Sequence, residues 1–353
     1  MNDTKIIWFN SFSKRSVTNM VKAKLFVLDK HFDGWPKESD LKIVEEELPP
    51  LKNGEFLAEA VYLSVDPYMR AYEPSLSPGQ TFIGSQIAKI IDSKNPKYPV
   101  GEHVIGQFGW RTHTISTGEV RGTVGRGTAP QLVSKKLKNL PLSLALGAAG
   151  MTGNSAYFGF LEICHPKAGE TVVVSGAAGG VGNQVGQIAK IKGCKVIGIA
   201  GSDDKGKWLT DELGFDHFIN YKTDNVAETL KKFAPNGVDC YFDNVGGEIS
   251  TTVISQMNDF GRVSKCGSIS GYNEAAKNSS IDMFIIGKQL RIEGFLVTRW
   301  IERWHEGIEQ NIEWIKEGKL KYRETVTEGF ENMFKAFVEM LKGVNVGKAI
   351  VKV

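Results

Sequence analysis

The sequence predicts an α/β fold in which a doubly wound parallel sheet follows a separate, compact β domain. Three observations carry that expectation. Residues 172–190, VVVSGAAGGVGNQVGQIAK, read as a buried strand, a glycine turn and a helix in immediate succession. After Leu146, strand-like and helix-like runs alternate, as right-handed βαβ crossovers require. Between Val21 and Leu142, short apolar runs are interrupted by Pro and Gly, the pattern of strands and turns. The 353 residues are enough for two cores, and 41% hydrophobic content suits a globular chain. No run of eighteen or more uncharged apolar residues suggests a membrane span.

Residues 1–19 are basic, rich in Ser, Thr and Asn and poor in acids, which fits either a mitochondrial transit segment or an extension ahead of Met20. Five basic residues among the first 26, against Asp3 alone, account for the net charge of +3. The rest is near neutral, with no electrostatic case for nucleic acid. Residues 20–142 form the expected β domain, with strands near 55–65 and 82–91 and a loop over 111–130 around GEVRGTVGRGTAP. Residues 143–310 form the expected nucleotide-binding domain: a helix at 150–161, then strands near 171–175, 195–200, 217–219, 238–243 and 261–266. A helix at 308–317 spans the next boundary, and residues 311–353 continue with a helix at 330–341 and a last strand, 348–353, placed to return to the β domain.

Gly176, Gly179 and Gly182 make G-x-x-G-x-x-G, which lets the backbone turn tightly, approach a pyrophosphate and open a helix whose N-terminus faces negative charge. The second strand, KVIGIA, ends in Gly201-Ser202-Asp203-Asp204-Lys205, where a Rossmann pocket distinguishes NAD from NADP. Lys205 is placed to pair with the extra phosphate of NADP. The competing reading makes Asp203 the ligand of the ribose diol. FDNVGG, residues 242–247, follows an apolar strand, so Asn244 reads either as a ligand-facing residue or as a strand-ending Asx turn. Tyr272 stands likewise after the next strand. Four scattered cysteines and no C-x-x-C fit a reduced, intracellular protein, and neither a metal motif nor a serine-hydrolase elbow is present.

Nine segments carry a resemblance: ELPPLKNGE (47–55), LSVDPYMR (63–70), LSLALGAAGMTG (142–153), the glycine turn, LGFDHFINYK (213–222), DCYFDNVGGE (239–248), GSISGYN (267–273), EGFENMFKAF (328–337) and GVNVGKAIV (343–351). From about Met20 to Val353 the chain resembles the zinc-independent medium-chain dehydrogenase/reductases, and within them the prostaglandin reductases. The resemblance implies a GroES-like β domain completed by the C-terminal segment, with the Rossmann domain inserted. It implies NADPH, a homodimer, a cytoplasmic location, and reduction of the carbon–carbon double bond of α,β-unsaturated ketones and aldehydes, including 15-oxo-prostaglandins and lipid-derived enals. Some members also oxidise the hydroxyl of leukotriene B4. A quinone reductase is the nearest alternative; a non-catalytic nucleotide-binding protein is a second.

By the same resemblance, Gly179, Gly180, Val181 and Gly182 hold the pyrophosphate, and Lys205 and Tyr221 the adenosine side. Asn244, Cys266, Gly267, Ser268, Ile269, Ser270, Gly271, Tyr272, Phe295, Leu296, Val297 and Asn345 line the nicotinamide half. Tyr68, Phe108 and Trp110 face the substrate. Tyr272 either donates a hydrogen bond to the substrate carbonyl or only packs beside the cofactor. The chain departs from the family pattern at GMTG (150–153), where GMPG is usual, at EAAKNSSID (274–282), and at Gly287, where a relative offers a tyrosine.

Overall fold

The computed structural model describes residues 20–120, 128–274 and 280–353. Residues 1–19 and most of the GEVRGTVGRGTAP stretch lie outside the described residues, so the transit-segment reading has no structural counterpart here.

Six parallel strands make the larger open sheet, in the spatial order His217–Asn220, Lys195–Ala200, Thr171–Ser175, Val238–Asp243, Met257–Lys265, Arg291–Gly294. In chain order this is 3-2-1-4-5-6, the Rossmann arrangement, whose crevice opens between the first and fourth strands. The apolar runs exist because both faces are covered. Val172, Val174, Cys240 and Phe242 enter one core, while Val173, Ile197, Ile199 and Tyr241 enter the other, the alternation a pleated strand imposes. Arg291–Gly294, charged and half-exposed, had no apolar signature in the sequence. It is an edge strand, where only one neighbour must be satisfied.

The β domain has a seven-stranded sheet built around Phe56–Ser64, together with a hairpin-like pair, Lys22–Leu28 with Leu41–Glu47. The expected strand at 82–91 begins later, at Gln86, because Phe82 turns into the core against Trp110 and Phe337. The expected loop at 111–130 contains a strand, His113–Ser116, paired antiparallel with Phe56–Glu59. Its four residues are too few to show alternation.

The C-terminal segment belongs physically to the β domain. Lys348–Lys352 pairs antiparallel with the end of Phe56–Ser64, and Phe337, Met340 and Leu341 from the helix Met333–Leu341 fill the same core as Trp110. The helix Trp304–Lys316 runs through position 310, where the sequence suggested a boundary. On its way back the chain crosses the glycine turn: the Gly347 N–H donates to the Ala178 carbonyl at 2.8 Å, and Gly347 bridges Gly179. A Cβ at Gly347 would lie 1.9 Å from the Arg323 carbonyl oxygen, and its φ is +69°, so glycine is required there. The two domains are thus stitched together at the point where the crevice opens.

Candidate functional site

A cavity of about 830 Å³ lies along the carboxyl ends of the parallel strands and under the β domain. Its two ends are built differently.

At the Rossmann end, Gly179, Gly180, Val181 and Gly182 form the wall. Gly176 holds φ +60°, and a Cβ on Gly182 would sit 2.4 Å from the Gly176 carbonyl oxygen, so the turn closes only without side chains. The helix Gly182–Ile191 begins there with no side-chain cap. Its Asn183 and Gln184 N–H groups donate to the Gly179 and Val181 carbonyls at 3.2 and 3.1 Å, so what the helix offers the turn is the positive end of its dipole. Thr152, which stands where the family pattern has proline, donates to the Leu146 carbonyl at 3.2 Å and would touch a Cβ on Gly180 at 3.1 Å. It supports the turn from below.

Beyond the second strand, Lys205 and Lys222 both reach the cavity. The Lys205 ammonium donates to the Gly343 carbonyl at 2.5 Å, and burial, then the like charge of Lys222, pull its pKa below the ordinary lysine value. Asp203, the rival anchor, instead accepts a hydrogen bond from Asn220 at 2.8 Å and is off the cavity wall. Two ammonium groups facing one cavity, with the nearby carboxylate engaged elsewhere, suit a phosphate monoester rather than a ribose diol. Tyr221 lies over Gly201, whose missing Cβ would stand 2.9 Å from the ring. Lys222 was within the INYK segment but carried no periodic or spacing signal of its own.

The middle of the cavity is fixed by Asp243. This fully buried carboxylate accepts from the Ser175, Tyr241 and Ser250 hydroxyls, from the Val245 and Gly246 N–H groups and from the Lys265 ammonium, at 2.7 to 3.1 Å. Burial opposes its ionisation, but Lys265 and the donated hydrogen bonds outweigh it and hold the carboxyl below the ordinary range. The anchored turn places Asn244, whose amide donates to the Ser175 carbonyl at 2.7 Å, on the cavity wall. Asn244 is thus a wall residue, and the Asx turn is made instead by Asp243, whose Oδ1 accepts from the Val245 and Gly246 N–H groups.

Of the loop after the next strand, Cys266, Gly267, Ile269, Ser270 and Tyr272 line the cavity, whereas Ser268 and Gly271 belong to the loop's outer side. Part of Cys266 stays accessible, but its thiol is enclosed and pushed up to about 12, so it is inert at neutral pH. The Tyr272 hydroxyl oxygen accepts the Ser268 N–H at 3.3 Å, which leaves its own proton free to donate. Burial raises its pKa, so the phenol stays neutral. Phe295, Leu296, Val297 and Asn345 complete this half.

At the β-domain end, Tyr68 lines the cavity from the short helix Tyr68–Tyr72. Its buried hydroxyl has no partner of hydrogen-bonding geometry; burial, then Asp66, raises its pKa, with nearby Ser85 easing part of the rise. Phe108 and Trp110, expected on the substrate side, do not line the cavity. Gly109, at φ +80°, breaks the alternation between them. Phe108 then packs over Gly106 with Phe56 and Tyr98, while Trp110 is wholly buried with Phe26, Phe82 and Phe337. Trp35, Tyr72, Gln107, Met151 and Thr298 line the cavity at this end instead. Gly287 also lies away from the cavity, at the end of the helix Asp282–Gly287.

This arrangement fits a phosphorylated dinucleotide with an apolar substrate beside it. Among the described residues, no group of three or more His, Cys, Asp or Glu could hold a metal ion, and no helix is long and apolar enough to cross a membrane. Residues 24–124 match the family of N-terminal domains of oxidoreductases, and residues 180–316 the family described as zinc-binding dehydrogenase. The chain is 51% identical to prostaglandin reductase 1 of Bos taurus over 94% of its own length and all of that protein. It is 38% identical to the NADP(+)-dependent 2-alkenal reductase of Nicotiana tabacum, over 94% and 98%. The crystal structure of CurA from Vibrio vulnificus in complex with NADPH superposes with a TM-score of 0.85 at 34% identity, over 94% and 99%.

Proposed function

The chain belongs to the zinc-independent medium-chain dehydrogenase/reductases, in their prostaglandin-reductase branch, and we propose that it reduces the carbon–carbon double bond of α,β-unsaturated ketones and aldehydes with NADPH. The observation that carries this reading is one cavity with two lysines at its nucleotide end and a neutral, proton-bearing phenol, Tyr272, near its middle. NADPH, when bound, supplies a hydride to the electron-poor β-carbon. The Tyr272 O–H donates to the carbonyl oxygen, on which negative charge develops as electrons leave the double bond. Such a donor is worth roughly a hundred- to thousandfold in rate. A proton from solvent then reaches the α-carbon, leaving a saturated carbonyl compound.

The apolar walls supplied by Trp35, Tyr68, Tyr72, Met151 and Leu296 favour lipid-derived enals and 15-oxo-prostaglandins over small polar acceptors. Run with NADP, the same site would oxidise a hydroxyl such as that of leukotriene B4. A homodimer is supported by the open edge strand Arg291–Gly294 beside exposed Phe260, Met283 and Ile286. Four free cysteines support a reducing compartment, which we read as the cytosol.

The test follows NADPH absorbance with a 15-oxo-prostaglandin, a medium-chain enal and a small quinone, with NADH in parallel. Selective NADPH consumption with the enal and enone is expected. Quinone turnover exceeding both by more than about tenfold in kcat/KM would replace this reading with a quinone reductase. Tight NADPH binding without turnover of any acceptor would indicate a binding role.

A further inference from the structure

We propose that Arg70 is a positioning residue that sets Tyr272 for catalysis by clamping the loop that carries it to the β domain. The proposal rests on Tyr272 being the hydrogen-bond donor.

Arg70 sits on the same short helix as Tyr68 and is almost fully buried. Its Nε donates to the Asn273 Oδ1 at 2.9 Å, and Asn273 is the residue next to Tyr272. Its Nη2 donates to the Gly34 carbonyl at 3.1 Å, in the loop that carries Trp35. Nη1 lies 3.9 Å from the Glu73 carboxylate, which His31 contacts in turn at 2.6 Å, and the guanidinium lies over the Phe32 ring at 5.5 Å. One planar fork therefore ties together three segments: its own helix, the 33–36 loop and the Rossmann-domain loop at Tyr272.

Neighbouring contacts point the same way. The Trp35 indole N–H donates to the Glu274 carboxylate at 3.0 Å. A Cβ on Gly34, whose φ is +67°, would lie 3.8 Å from the Asn273 carbonyl oxygen, so the two loops meet backbone to backbone. Ile269, at the start of the Tyr272 loop, packs against the β-domain core. Within its own loop, the Tyr272 side chain accepts the Ser268 N–H, and its backbone N–H donates to the Ile269 carbonyl, each at 3.3 Å. Ser270 ties the base of the loop to the Val245 carbonyl, and the residues directly after Tyr272, Asn273 and Glu274, are held from across the domain interface. The Rossmann domain thus carries the donor, while the β domain fixes where it points.

Lysine at position 70 keeps the charge but cannot reproduce a planar fork reaching Asn273 and Gly34 together. The test measures enal reduction by Arg70→Lys, Asn273→Leu and Tyr272→Phe enzymes and by the two double variants containing Tyr272→Phe. NADPH dissociation constants are measured separately by fluorescence. Arg70→Lys and Asn273→Leu are each expected to lower kcat roughly tenfold, the scale of a small misplacement of a catalytic group, with NADPH affinity within about twofold of the starting value. In the Tyr272→Phe background neither is expected to cost more than about twofold, because the group being positioned is gone. Equal loss in both backgrounds, or no loss from either single variant, overturns the proposal while leaving the donor role intact. Full activity of Tyr272→Phe alone overturns the donor role and the proposal with it. Asn273 lies in a loop outside the core, so its variant decides the matter if Arg70→Lys does not fold.

Discussion

The two ends of the cavity follow opposite rules of construction. The nucleotide end is made from short stretches at the tips of consecutive parallel strands: Gly176–Gly182, Gly201–Lys205, Tyr221–Lys222 and Asn244. The substrate end is made where separate parts of the chain meet, with Trp35, Tyr68, Gln107, Tyr272 and Leu296 arriving from five segments and two domains. In the first, backbone geometry does most of the work, and the side chains that matter are few. In the second, the backbone only brings surfaces together, and the side chains define the space. An error at one end should therefore act on cofactor affinity, and at the other on turnover.

The sharpest break of this contrast is Gly182→Ala. The added methyl would stand 2.4 Å from the Gly176 carbonyl oxygen and 2.8 Å from the Ala177 Cα, both backbone atoms that cannot move aside. NADPH affinity is expected to fall by roughly a hundredfold or more in a protein that circular dichroism shows to be folded. Unchanged affinity would mean that the cradle does not depend on glycine geometry.

Asp243→Asn removes the charge on which the middle of the site is hung. Loss of about 3 kcal/mol of stability at pH 7 is expected by denaturant unfolding, since Lys265 and five neutral donors lose a charged acceptor. The pH dependence has a definite sign. The folded pKa of Asp243 lies below its unfolded value of about 3.9, so its contribution is fully present above that value and disappears as pH falls through the folded pKa. The variant should consequently show a flatter stability profile below about pH 4 than the parent. An identical acid profile in both would assign the carboxylate a neutral role.

Lys205→Gln and Lys222→Gln separate cofactor choice from turnover. Each is expected to raise KM for NADPH roughly tenfold, the scale of one charge-assisted hydrogen bond, with little change in KM for NADH. Equal losses for both cofactors would move these lysines away from the ribose phosphate.

The smallest effect on function is expected from Trp110→Phe. Stability should drop by about 1–2 kcal/mol from the cavity left among Phe26, Phe82 and Phe337. Steady-state constants for an enal should stay within about twofold. A selective rise in enal KM would return Trp110 to the substrate wall.

Legibility followed the same division. The strands at 171–175, 195–200 and 238–243 were readable because burial on both faces forces continuous apolar runs. Gly182 and Lys205 were readable because they fall at fixed offsets from those strands. The short strands His113–Ser116 and Arg291–Gly294 were not, since four residues cannot establish a period and an edge strand need not be apolar. The resemblance alone placed Phe108 and Trp110 toward the substrate, and a single positive-φ glycine between them sends both into separate cores. Lys222 became significant only when the third strand brought it beside Lys205.

The sequence by itself therefore determined the doubly wound sheet, the glycine cradle, the candidate phosphate lysine Lys205 and the return of the last strand to the β domain. These depend on local conformational requirements and on the period of burial, which adjacent residues impose on one another. Only the tertiary structure decided which aromatics line the cavity, that Lys222 joins Lys205, and that Arg70 and Trp35 reach across to the loop of Tyr272. The Arg70 and Trp35 contacts join residues 203 and 239 positions apart, and their energies arise from hydrogen bonds that exist only once the two domains have closed on each other, whereas Lys205 and Lys222 meet within one domain through the parallel pairing of its second and third strands.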